Sequence, residues 1–169
     1  VMTPCESAWG YDVASYDQVG KMSLGDMDIS EDGRYLYVVN MHDRKMYRMS
    51  ATTAPTSSAD VTRVDIPAAA SGTGSAYKCA ANDSRPMALT IRDSVGYVGV
   101  ICSGEGGTAT SDSRGYVYKF DPVAMTFTAA PVLNFTWDFA KESAGVNFTN
   151  NSKWSPTWVP QTSYGSDWP

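Results

Sequence analysis

The chain has 169 residues, of which 43% are hydrophobic and 18% charged, and its formal net charge is −5. That apolar content suffices for a folded core, so a folded rather than a disordered chain is expected. The acidic balance, with Lys and Arg scattered along the chain, excludes generic nucleic-acid binding, which needs clustered cations against phosphates. No apolar run approaches the roughly 18 residues that cross a bilayer, so no membrane span is expected. The charged fraction lies below the roughly 25% of ordinary soluble domains. Tyr, Ser, Thr and Gly are plentiful instead, as in an all-β protein with a polar rather than an ionic surface.

The chain opens at Val1 without a signal-peptide core and closes at Pro169, which reads as a processed or truncated piece. Residues 1–23 offer one edge strand. Four short strands follow at residues 27–30, 35–40, 45–50 and 61–66, rich in Val, Ile and Tyr, with the turn Glu31-Asp32-Gly33 between the first two. Asp-Gly is a strong hairpin signal. Lys45-Met46-Tyr47-Arg48-Met49 alternates polar with apolar, as a strand with one buried face requires. Four more strands are expected at residues 87–91, 95–102, 116–120 and 126–135, with Arg92-Asp93-Ser94 as the first turn. No segment carries a helical period. Residues 137–169 differ in texture, with Trp137, Trp154, Trp158 and Trp168 among prolines, and read as an irregular segment.

The two sets of strands are a repeat. Tyr35-Leu36-Tyr37-Val38-Val39 aligns with Tyr97-Val98-Gly99-Val100-Ile101 at an offset of 62, and Met27 and Ile29 then fall on Leu89 and Ile91. Met46-Tyr47-Arg48-Met49 aligns with Val117-Tyr118-Lys119-Phe120 at an offset of 71, which puts nine extra residues between the middle strands of the second unit. Constant strands with variable loops are what stacked supersecondary units produce. Four-stranded meanders at this spacing match β-propeller blades, neither of which can bury both faces alone. The expected organisation is an edge strand in 1–23, a blade in 24–84, a second blade in 85–136 and the Trp/Pro-rich tail in 137–169. The further blades are expected in a longer chain or in other copies, and a subunit of an extracellular filament is a further reading of the same lack of closure. A β-sandwich built from the same strands is the competing architecture.

The run from Gly25 to Val38, with Ser30-Glu31-Asp32-Gly33-Arg34-Tyr35-Leu36-Tyr37-Val38 at its heart, resembles the S-x-D-G-x-x-[LV]-[YF]-V signature of NHL- and YVTN-type propeller blades. Arg85-Pro86-Met87-Ala88-Leu89, Tyr97-Val98-Gly99-Val100 and the run from Gly115 to Pro122 resemble the following blade of bacterial cell-surface propeller proteins. The resemblance covers residues 24–135. It implies a surface scaffold for binding or adhesion; a minority of such proteins are enzymes, lactonases and lyases among them. The chain departs from those enzymes in having one histidine and no evident metal-binding set of Glu, Asp and Asn.

Several residues are candidates for function. Loops on one end of such a scaffold carry ligand sites, which singles out Asn40, His42, Asp43 and Arg44, together with Glu105, Asp112 and Arg114 around a Gly-rich loop. That loop offers two carboxylates to a hard cation such as Ca²⁺, and it reads equally as a solvated hairpin connection. No other cofactor is expected. Adjacent His42 and Asp43 point to opposite sides of an extended backbone, which makes a catalytic pair awkward. Asp26 and Asp28 share a face and read as paired carboxylates or as makers of turn hydrogen bonds. Trp154 and Trp158 are a candidate contact surface for protein or carbohydrate, or else buried packing.

Three cysteines, Cys5, Cys79 and Cys102, imply in a secreted protein one bridge and one thiol with a partner elsewhere. Cys79 precedes one strand and Cys102 ends the next, so antiparallel pairing makes them the candidate disulfide; three reduced thiols are the alternative. Zinc is not expected, since there is no C-x-x-C and His42 is the sole histidine. Sequons at Asn82, Asn134, Asn147 and Asn150 agree with an extracellular or cell-surface location.

Overall fold

A computed structural model describes residues 18, 20–67, 79, 83–103, 114–136, 142–143 and 146–147. They form two antiparallel sheets of four and five strands. The first contains β1 (Leu24–Ile29), β2 (Tyr35–Asn40), β3 (Lys45–Ser50) and β4 (Thr62–Asp65), in that spatial order. The second contains β5 (Ser84–Arg92), β6 (Val95–Cys102), β7 (Arg114–Asp121), β8 (Thr126–Phe127) and β9 (Leu133–Thr136), with β8 and β9 both paired to β7. A 3-10 turn at Ser58–Asp60 lies before β4, and β10 (Glu142–Ser143) pairs with β11 (Val146–Asn147). The edge strand expected in 1–23 and most of the tail lie outside the described residues.

Turn chemistry explains the two inner hairpins. Ser30 Oγ donates to Asp32 Oδ1 and accepts the Tyr35 N–H, while Asp32 accepts the Arg34 N–H and Nε–H. Gly33 sits at φ 70°, where a side chain would be strained. These hydrogen bonds to the ionised form hold the Asp32 carboxyl down at about 2, the Ser30 bond foremost. The β5–β6 hairpin is tighter. Arg92 pairs with Val95 across a two-residue loop whose members, Asp93 and Ser94, have φ of 52° and 61°, the signature of a type I′ turn.

Pairing corrects three details of the sequence reading. Ile29 faces Leu36 while Leu89 faces Val98, so Ile29 is the counterpart of Leu89 rather than of Ile91. The first hairpin loop is longer, and the inner strands slip by two residues. Likewise Arg48 faces Tyr37 and Val117 faces Gly99, which makes Tyr47 the counterpart of Tyr116. The β6–β7 connection, with Cys102 opposite Arg114, is therefore seven residues longer than the one between Asn40 and Lys45, not nine. Both slips are even, so every side chain keeps its face.

Third, the strand expected over 126–135 is two. Phe127 faces Phe120 and Leu133 faces Val117, so six steps on the outer chain oppose three on β7. The excess is looped out at Ala129-Ala130-Pro131, where proline has no N–H to give to a ladder. Lys119 O still accepts the Thr128 N–H, and Val117 O the Val132 N–H.

One core lies between the sheets. Tyr37, Val39, Met46 and Ile66 come from the first, and Leu89, Val98, Val100, Tyr116, Tyr118 and Phe120 from the second, all buried. The rings of Tyr37 and Phe120 meet across the seam at 6.3 Å. Cys79 and Cys102 are both buried and at disulfide distance, with Cα atoms 5.7 Å apart, as their placement before and after strands predicts. Among the described residues, no helix is long and apolar enough to cross a membrane.

Candidate functional site

Two regions can carry function: the loop end of the sheets and the seam between them. At the loop end, the β2–β3 connection is held by its own side chains. Asn40 Oδ1 accepts the His42 N–H at 2.9 Å and Asp43 Oδ1 accepts the Lys45 N–H at 3.1 Å. Asp43 Oδ2 takes the Tyr47 hydroxyl, which raises the phenol above its ordinary value, and Lys45 pairs with Asp65. Arg44 closes the loop at φ 59°. Asn40 and Asp43 thus serve turn geometry, and His42 is exposed without the Asp43 carboxylate as its orienting partner.

Arg114 begins β7 opposite Cys102, at the sheet end equivalent to that loop, and its Nη1 reaches Asn134 Oδ1 at 3.4 Å. Asn134 lies on β9 opposite Tyr116, and Asn147 lies on β11. Glu105, Asp112, Trp154, Trp158, Cys5, Asn82 and Asn150 lie outside the described residues. So does the Gly-rich loop. Among the described residues, no group of three or more His, Cys, Asp or Glu side chains could hold a metal ion.

One polar group at this end escaped the sequence reading. Asp83, Ser84, Arg85 and Ser103 are all buried beside Cys102, and Asp83 O accepts the Ser103 N–H at 2.9 Å. The only trace in the sequence is charge flanking a strand start, which is ordinary.

The seam is where the acidic residues act. β1 and β5, the inner strands of the two sheets, run side by side in the same direction. Asp26 Oδ2 accepts the Leu89 N–H at 3.0 Å and Asp28 Oδ2 accepts the Ile91 N–H at 2.6 Å. The other oxygen of each carboxylate accepts the next amide of its own strand, Met27 or Ile29, at 2.8 Å. Glu31 continues the series by accepting the Asp93 and Ser94 N–H groups of the type I′ turn. Edge strands carry open amides that need partners, and here carboxylates of one strand satisfy the edges of both. Gly25 permits the approach, since a Cβ there would stand 2.7 Å from Pro86 O.

The outer part of the seam is fastened separately. Tyr37 Oη donates to Pro122 O at 3.0 Å, and Arg48 Nη1 donates to Pro122 O and Val123 O at 3.1 and 2.8 Å. Burial raises the Tyr37 phenol, so it stays a donor. Asp26 and Asp28 do share one face, and each carboxylate bridges two backbone amides.

Compared with known protein families, with curated proteins and with solved structures, the chain matches none.

Proposed function

We propose that this chain is a non-catalytic extracellular or cell-surface scaffold of propeller-type blades that binds protein or carbohydrate, or assembles with further blades. One observation carries the reading: the two sheets meet through opposite faces. By counterpart positions, the first sheet buries the side bearing Tyr37 and Val39, whereas the second buries the side bearing Val98 and Val100, which correspond to Leu36 and Val38. A sandwich related by a dyad would bury the same side of both. Head-to-tail stacking with parallel inner strands supports blades instead.

The buried Cys79–Cys102 pair at bonding distance supports an oxidising compartment. The use of Asp26, Asp28, Glu31 and Asp43 as hydrogen-bond acceptors for amides and a phenol supports a structural rather than a catalytic role for these acids.

The test is metal analysis of the purified chain together with assays on lactones and polysaccharides, set beside a glycan array. Binding without turnover is the expected result. Stoichiometric metal accompanied by hydrolysis or elimination of either substrate class would overturn the reading.

A further inference from the structure

We infer that this chain associates head to tail with a second copy of itself, the outer face of its first sheet seated on the outer face of the second sheet of its neighbour. The inference rests on the blade reading and extends it to a named partner and surface. On the first sheet the outer face carries Ile29, Leu36, Val38, Tyr47 and Met49, of which Ile29 is exposed, Leu36, Tyr47 and Met49 are half-buried and Val38 is buried. Their counterparts on the second sheet are Leu89, Val98, Val100, Tyr116 and Tyr118, every one buried in the existing seam. The same apolar pattern is thus fully buried in one sheet and partly open in the other. Ile29 is 49% exposed and its neighbour Met27 is 57% exposed.

The complementary side is also open. The outer face of the second sheet carries the row Ala88, Gly99, Val117 and Leu133, flanked by Tyr97, and Leu133 is 51% exposed. These positions correspond to Asp28, Tyr37, Arg48 and Thr62 of the first sheet. The three polar fasteners of the internal seam are therefore replaced by Ala, Gly and Val. Nor does the facing β1 edge need a carboxylate from its neighbour, because Asp28 Oδ1 already holds the Ile29 N–H. An interface formed there is apolar around Ile29 and Leu36, with Arg63 beside Tyr47 and Lys119 beside Tyr97 on the same two faces, and it buries no open amide at Ile29. Because it joins unlike faces, it leaves one of each free, and repetition closes a ring or runs on as a filament.

The experiment uses sedimentation of the full chain over a range of concentrations, with two double variants. Met27→Lys/Ile29→Lys charges the first face and Ala88→Lys/Leu133→Lys charges the second; circular dichroism and thermal melts check that each still folds. The expected result is association of the unaltered chain, monomers for each variant alone, and a species of two chains when the variants are mixed, since each retains one working face. An unaltered chain that stays monomeric overturns the inference while leaving the scaffold reading intact, because that reading falls to metal and turnover. Variants that associate as before also overturn it. So does loss of association that mixing fails to restore, which is the mark of a like-with-like interface. A monomer whose melting temperature falls sharply in either variant means that another part of the same chain covers that face, and it overturns the inference too.

Discussion

Asp28 holds Ile91 across the seam: its Oδ2 accepts that residue's N–H at 2.6 Å while Oδ1 accepts the Ile29 N–H. One carboxylate thereby satisfies the open edges of two sheets. Hydrogen bonds to an ionised acceptor contribute about 1.5–3 kcal/mol when not fully solvated, so Asp28→Ala is expected to lower stability by about 2 kcal/mol in urea unfolding. The more specific readout is amide exchange. Ile91 should lose protection in Asp28→Ala, and Leu89 in Asp26→Ala, with β7 amides little changed. Equal protection in both variants would show that another group holds those amides.

Gly96 is required by the ring beside it. A Cβ there would stand 2.1 Å from two ring atoms of Phe120, a fully buried residue that also stacks on Phe127 at 5.3 Å. Gly96→Val is expected to cost about 1–3 kcal/mol through overpacking. Pairing it with Phe120→Leu should recover part of the loss, measured as a double-mutant cycle. Additive effects would place the strain elsewhere.

Oxidation of Cys79 and Cys102 closes a loop with a sequence separation of 23. Loop-closure entropy for such a length gives about 3 kcal/mol. Reductant, or Cys102→Ser, should lower the unfolding midpoint accordingly. Peptide mapping without reductant should recover the cross-linked pair, and free thiols at both positions would contradict it.

Acid should release the first hairpin. The Asp32 carboxyl is lowered from 3.8 to about 2 by Ser30, the Arg34 amide and the Arg34 guanidinium. A depressed carboxyl stabilises the fold fully above its unfolded value and loses that contribution as pH falls toward the folded one. The contribution of this turn is therefore intact above about pH 4 and disappears between there and pH 2. Titration of the Asp32 side chain by NMR checks the value, and Asp32→Asn should abolish the pH dependence of the Tyr35 amide over that window.

Much of this fold was legible in the chain itself. β2, β3 and β6 have the ends that their apolar runs predict, because alternation, β-branched residues and turn formers act over neighbouring residues. Cys79 and Cys102 were a candidate pair on the ground of antiparallel neighbours, and their distance in the fold agrees with it. The split of the last strand is the exception, since Ala129-Ala130-Pro131 marks a break only once β7 is known to be its partner.

Sequence alone determined the all-β character and the two sets of strands, for these depend on β-branched and aromatic runs and turn formers that act over neighbouring residues. Tertiary structure decided the register between repeats, the pinning of Leu89 and Ile91 by Asp26 and Asp28, and the burial of opposite faces in the two sheets. Those contacts join residues some sixty positions apart, through backbone amides that are chemically alike at every position. No pattern of side chains can announce which amide a carboxylate will meet.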